Sequence, residues 1–392
     1  MAFDVRGARP PGPALRHMTG RVSGVNGGIS VGTRRGPLPG AAAAVVEGAV
    51  AGSLSPQLVQ RLTEAAAAAA VAGGADDAIY GIPRSEWLQL QGPSRYLGNE
   101  VGAVRKPWGS ADIRFCLTYP EIYEVGASNL GHIILYTVLN ATAGLLCDRS
   151  YFPAPDMAAL LARHGKPLFG VESRRPLRDF DCLGFSLAYE LGGTNVLEML
   201  RQAGVPRTWR ERCEPVGAPW DPSSGSWPLV FAGGPTATSN PEPFADFYDF
   251  FALGDGEELL VEIGRCLQAC RSKGLDRRST LLQLARSVEG VYVPQFYEAP
   301  QGFGGSVVPI EEGVPARVKR RTCQPDPFQQ IGLVPYVETV HDRMTVEIRR
   351  GCTRGCRFCQ PGMLTRPARD VEPQRVVEAV EDGLRKTGPG RG

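Results

Sequence analysis

The chain has 392 residues, with 43 Lys and Arg against 41 Asp and Glu and a formal net charge of +2; 43% of its residues are apolar and 21% charged. That length has room for two or three domains, and the balance is that of an ordinary soluble globular protein rather than a disordered or fibrous one. Bulk charge therefore singles out no partner, and no nucleic-acid-binding module is recognisable.

No run approaches the ~18 apolar residues of a membrane span. The start, MAFDVRGARPPGPALRHMTG, has charges and prolines where a secretory signal has its apolar core. A cytoplasmic location and no membrane association are the expectation. In that reducing compartment cysteines serve as ligands, nucleophiles or core residues rather than in disulfides.

Residues 1–85 are rich in Gly, Ala, Pro and Arg and poor in large apolar side chains. GAAAAVVEGAVAG and LTEAAAAAAVAGG suit short Ala-rich helices, but Ala buries little area and anchors no core. The expectation is a disordered, low-complexity extension. The texture changes after residue 85. IRFCLTY, from Ile113, reads as a buried strand. SNLGHIILYTVLNA reads as a helix with Leu130, Ile133, Ile134, Val138 and Leu139 on one face. GLLCDRSYFP is the next strand, and PDMAALLARHG a helix with Pro155 and Asp156 at its start and Gly165 at its end. DCLGFSLAYE is a strand, GGTNVLEMLRQAG a helix stopped by Gly204, and WPLVFAGGP a strand ending in glycines. YDFFALGDGEELLVEIGRCLQAC gives a strand, a tight turn and a long helix. Strict alternation of strand and helix predicts a doubly wound parallel α/β sheet over 86–290.

Beyond it, GVYVPQFYE and VPARVKRRT are expected to pair as short strands in a connector, 291–335. DRMTVEIRRGC reads as a new buried strand that delivers Cys352. EPQRVVEAVEDGLRKTG reads as an amphipathic helix with Val376, Val377, Val380 and Leu384 on one face. So 336–392 holds one strand, one loop and one helix, the first βα unit of something larger.

Ten cysteines occur. Cys182, Cys266 and Cys270 lie in apolar strand or helix settings, where a free Cys acts as a small hydrophobe. Cys352, Cys356 and Cys359 differ: the spacing Cys-x3-Cys-x2-Cys puts three thiols on one Gly-containing loop that can close around a metal or cluster. Zinc would need a fourth ligand, for which His341 and Cys323 are nearest in sequence. A [4Fe–4S] cluster on three thiolates leaves one iron open.

The stretch CTRGCRFC, with Phe358 in the aromatic place, resembles the signature of the radical S-adenosylmethionine (radical SAM) enzymes. The upstream segments RYLGNEVGAVRKPW, FCLTYPEIYEVGASNLGHIILY and FAGGPTATSNPEPFADFYDFFALGDGEE resemble a radical SAM family with a cobalamin-binding-type, Rossmann-like N-terminal domain. The resemblance covers roughly residues 90–385. It implies a [4Fe–4S] cluster on the three cysteines, S-adenosylmethionine at the open iron, Phe358 beside that cofactor, and an electron donor such as flavodoxin or ferredoxin. The substrate stays unknown. One departure stands out: the Asp-x-His-x-x-Gly of many cobalamin domains, whose His ligates cobalt, has no counterpart here. His132 reads as an ordinary helix residue, so cobalamin stays open as a ligand.

Gly233 and Gly234 are expected at the carboxyl end of a strand, where open α/β sheets bind ligands, with Thr236, Thr238 and Ser239 as donors; a plain strand-to-loop turn is the competing reading. Gly254 and Gly256 repeat the pattern, followed by Glu257 and Glu258, acids that complement a helix N-terminus. The basic run at Arg317, Lys319, Arg320, Arg321, Arg343, Arg349, Arg350, Arg354 and Arg357 suits either solvated edges or an anion-binding wall. A (β/α) barrel needs ~200 residues, far more than follow Tyr336. The expectation is thus a radical SAM chain whose catalytic barrel is truncated; the alternative is a non-catalytic α/β ligand-binding module with a zinc- or cluster-holding tail.

Overall fold

The computed structural model describes residues 78–213, 217–298, 307–341 and 343–387. The extension expected over 1–85 lies outside them up to residue 77. Residues 78–85 are within them and packed: Ile82 is fully buried in the main core beside Trp87.

The centre is a six-stranded sheet. Its strands are β1 (Ile113–Tyr119), β2 (Leu145–Tyr151), β3 (Cys182–Ser186), β4 (Leu229–Gly233), β5 (Phe250–Ala252) and β6 (Val291–Tyr292). They lie side by side in the order β2-β1-β3-β4-β5-β6. The first five are parallel and β6 is antiparallel. This is the flavodoxin-like doubly wound order, not the 3-2-1-4-5-6 order of dinucleotide-binding Rossmann domains. The principal helices are α1 (Leu130–Ala141), α2 (Pro155–Arg163), α3 (Gly192–Ala203), α4 (Gly256–Ser272), α5 (Arg277–Ser287) and α6 (Pro373–Thr387). None of the described helices is long and apolar enough to cross a membrane.

Period-two alternation sends each strand's side chains to two cores. Cys116, Leu146, Leu183, Val230 and Phe251 face α2 and α3. Ile113, Leu145, Cys182, Leu229 and Phe250 face α1, α4 and α5. Two local signals set helix ends. Asn129 caps α1 by accepting the His132 N–H at 3.0 Å, and Gly204, at φ 66°, closes α3. Strand β2 ends the sheet yet is buried along its whole length. The segment after α2 covers its outer side: the Val171 N–H donates to the Arg149 carbonyl at 2.8 Å, and Ser150 Oγ donates to the Phe169 carbonyl at 3.0 Å.

Four expectations are corrected. VPARVKRRT forms no hairpin with GVYVPQFYE. Val291–Tyr292 joins the main sheet, Tyr297–Glu298 pairs with Val308–Pro309, and Arg321 makes a single parallel bridge to Gly254. The segment before Cys352 is not a buried strand: only β7 (Arg349–Arg350) is paired, antiparallel to β8 (Arg369–Asp370), and Ile348 is 62% exposed. Met344 lies against Gly383 of α6, and Met344 and Val346 are only half-buried. On α6 the buried positions are Ala379 and Gly383, while Val377 and Leu384 are exposed. In α1 the buried side includes His132 and Tyr136, in place of Leu130, Ile133 and Val138.

Candidate functional site

In a 2-1-3-4-5 sheet the chain leaves β1 and β3 in opposite directions, and a crevice opens at their carboxyl ends. Here it is a cavity of about 420 Å3 between the sheet, α1 and α4, within the size range of small-molecule sites. Its floor is the α1/α4-facing side of the strands: Leu117, Gly184, Ser186, Gly233 and Ala252. Gly233 carries no side chain and Ser186 and Ala252 little, so a flat group can lie against the strands there, while the Phe231 ring covers Gly184. Ile134, Leu135, Phe231 and Leu260 make the walls apolar, and the first turns of α1 and α4 line the mouth.

Gly233, Gly234, Gly254 and Gly256 all line this crevice. Three of them also have reasons inside the protein. A Cβ on Gly234, at φ 101°, would lie 2.8 Å from the Leu187 carbonyl oxygen; one on Gly254 would run into the Arg321 backbone; one on Gly256 would lie 2.8 Å from Leu135. Thr236 is buried and donates its N–H to Leu187, without lining the crevice. Thr238 Oγ1 accepts the Gly254 N–H at 3.0 Å, tying the two glycine turns together.

His132 is the one imidazole at the crevice. Its ring is buried against Tyr119 and Tyr151, and neither nitrogen has a partner. Burial, with Arg149 nearby, pushes it down to about 3. Its nitrogens are unpaired but held inside the tyrosine pair rather than exposed at the crevice surface.

The cysteine loop sits over the same end of the sheet. Strands β7 and β8 bracket it, and the short helix Pro361–Leu364 follows Cys359. Gln360 Nε2 donates to Ser239 Oγ at 2.6 Å, joining the loop to the helical turn after β4. Cys352 and Cys359 meet around Gly362, where a Cβ would lie 3.2 Å from Cys359 Sγ and 3.9 Å from Cys352 Cβ. The Arg354 N–H donates to Cys352 Sγ at 3.3 Å and the Gly362 N–H to Cys359 Sγ at 3.4 Å. Backbone donors of this kind suit thiolates and tune sulfur clusters. Cys356 is exposed, and Phe358 is 91% exposed. Among the described residues no three His, Cys, Asp or Glu side chains already converge in a metal-holding group. The donor set and the space left by Gly362 fit a soft metal or cluster; Cys356 must turn inward to complete it.

Sequence reasoning passed over the ion cluster that joins loop and crevice. Arg350 Nη2 reaches Glu347 at 2.7 Å, and its Nη1 reaches Glu257 at 2.6 Å and Asp255 at 3.4 Å. Arg369 pairs with Asp255 as well, and Arg321 with Glu258 and Glu262. Much of the expected basic wall is thus neutralised by carboxylates. Asp255, flanked by two glycines, had read as part of a turn, and Gly184 and Ser186 as part of an apolar strand. Their alternation on one strand face was the signal that could have found the floor.

Residues 131–294 match the family described as "Radical SAM proteins, N-terminal". No curated protein matches the chain. Among solved structures, the radical S-adenosylmethionine methyltransferase TsrM from Kitasatospora setae, with tryptophan substrate and a SAM analog, is 15% identical with a TM-score of 0.36; the match covers 70% of this chain and 46% of that one. OxsB, a cobalamin-dependent S-adenosylmethionine radical enzyme with aqua-cobalamin and S-adenosylmethionine bound, is 14% identical at a TM-score of 0.39, over 70% of this chain and 32% of that one. The chain thus spans under half the length of these structures. Residues 131–294, which run from α1 to β6 and supply most of the crevice lining apart from β1, are thus similar to the N-terminal domain of radical SAM proteins.

Proposed function

We propose that this chain is a radical SAM iron–sulfur protein that holds a [4Fe–4S] cluster on Cys352, Cys356 and Cys359 and S-adenosylmethionine beside it. The carrying observation is the seating of the three-cysteine loop at the carboxyl edge of a radical SAM N-terminal domain, with two of its thiols already accepting backbone N–H bonds. When bound, the cluster supplies the electron that splits S-adenosylmethionine into methionine and a 5′-deoxyadenosyl radical. The protein's part is positional: Arg354 and Gly362 donate to the thiols, and Ser239 anchors the loop through Gln360. The small-residue crevice floor supports cobalamin as the ligand of the α/β domain, held without a cobalt ligand from the protein. A small electron-transfer protein such as flavodoxin or ferredoxin would serve as donor.

The test is iron and acid-labile sulfide in anaerobically reconstituted full-length protein. About four of each is expected. Cys356→Ala should lose them, and Cys182→Ala, a change inside the sheet core, should not. Full iron in Cys356→Ala overturns the ligand assignment. One zinc and no sulfide would favour a binding module with a metal-holding tail.

A further inference from the structure

Asp255 occupies the N-cap position of α4, where an aspartate ordinarily accepts an N–H from its own helix. Its side chain makes no such bond. Instead, Oδ2 accepts the Cys323 N–H at 2.9 Å and pairs with Arg369 Nη1, while Arg350 Nη1 lies 3.4 Å from Oδ1. Arg350 and Arg369 stand on β7 and β8, the two strands that bracket the cysteine loop. All three side chains are mostly buried, at 10–15% exposure, so these charged contacts are poorly screened. Arg369 continues the fastening through the Cys323 and Thr365 carbonyls, at 2.6 and 3.1 Å. Asp255, Arg350 and Thr365 also line the crevice.

We infer that Asp255 is a positioning residue for the cysteine loop: it gives up its own helix cap to clamp both strands at the base of the loop and hold Cys352 and Cys359 over the crevice. The inference deepens the proposed function by naming what sets the loop's place. Its test needs no cluster, so the two can fail separately.

The experiment follows alkylation of the metal-free full-length chain by iodoacetamide, site by site, by mass spectrometry. Exposed Cys356 in the same loop serves as the internal reference. In Asp255→Asn the rates at Cys352 and Cys359, relative to Cys356, should rise about fivefold or more as the loop opens locally, and Asp255→Glu should restore much of the protection. Arg349→Met, which breaks the exposed Arg349–Asp370 pair on the same strands, should change the ratio little. Arg369→Met provides a second, milder variant that keeps Asp255 and its bond to Cys323. Unchanged ratios in both Asp255→Asn and Arg369→Met, with native circular dichroism, would overturn the inference; so would an equal rise in Arg349→Met. A raised ratio in a chain that takes up no iron would leave the clamp standing and remove the cluster reading.

Discussion

His132 shows how one side chain can work against the fold that contains it. Both ring nitrogens are buried without partners, between Tyr119 and Tyr151 and close to Arg149. Its ordinary value of 6.5 falls to about 3. As pH drops through that window the unfolded chain takes up a proton that the folded chain refuses, so this residue subtracts stability as acid is added. His132→Leu should remove that penalty. Urea unfolding of the variant is expected to show a shallower loss of stability between pH 6.5 and 3. At neutral pH it should show a gain of about 1 kcal/mol, because no unsatisfied donor or acceptor is left behind. A steeper acid loss than wild type would refute this account.

At the scale of elements, Arg149 on β2 is a fully buried charge. Its Nε donates to Glu172 Oε1 at 2.7 Å, Nη2 reaches Glu100 at 2.9 Å, Nη1 reaches the Tyr151 hydroxyl at 3.2 Å, and the guanidinium lies 4.9 Å from the Tyr136 ring centre. The Tyr123 hydroxyl donates to Glu100 at 2.8 Å. This cluster binds β2 and α1 to the segments around residues 100 and 172. Arg149→Met should cost about 3–5 kcal/mol by leaving two buried carboxylates unpaired. Adding Glu100→Gln and Glu172→Gln should recover much of that, measured by chemical denaturation. Strands β1 to β5 were legible because parallel strands covered on both faces read as apolar runs. The same rule misled at DRMTVEIRRGC, whose apolar residues are half-buried or exposed rather than covered on both faces, and it hid the crevice floor, since Gly184 and Ser186 interrupt only one face of CLGFS. The cysteine spacing was legible in full. The clamp was not, because it joins Asp255 to residues about a hundred positions later, and charge spacing does not report such pairings.

On the scale of the whole molecule, the crevice and the cysteine loop occupy one end of the sheet. Ser186, half-buried on the crevice floor, is a place to separate binding from folding. Ser186→Phe would fill the slot, since the position already opens onto empty space rather than onto a packed neighbour. It should weaken cyanocobalamin binding about tenfold or more, read by equilibrium dialysis, with thermal unfolding little changed. Unaltered affinity would place that ligand elsewhere.

The covering of β2 has a further consequence. A terminal strand normally exposes a row of N–H and C=O groups on which a second chain can add its own strand. Here the Val171 N–H donates to the Arg149 carbonyl and the Glu172 carboxylate accepts the Arg149 N–H, and the opposite border, β6, is two residues long and runs against its neighbour. The sheet is therefore poorly suited to growing sideways. Self-association through added strands, the route to fibrils in many α/β folds, would first require the segment around Phe169–Val171 to peel away, taking the Glu172 anchor of Arg149 with it.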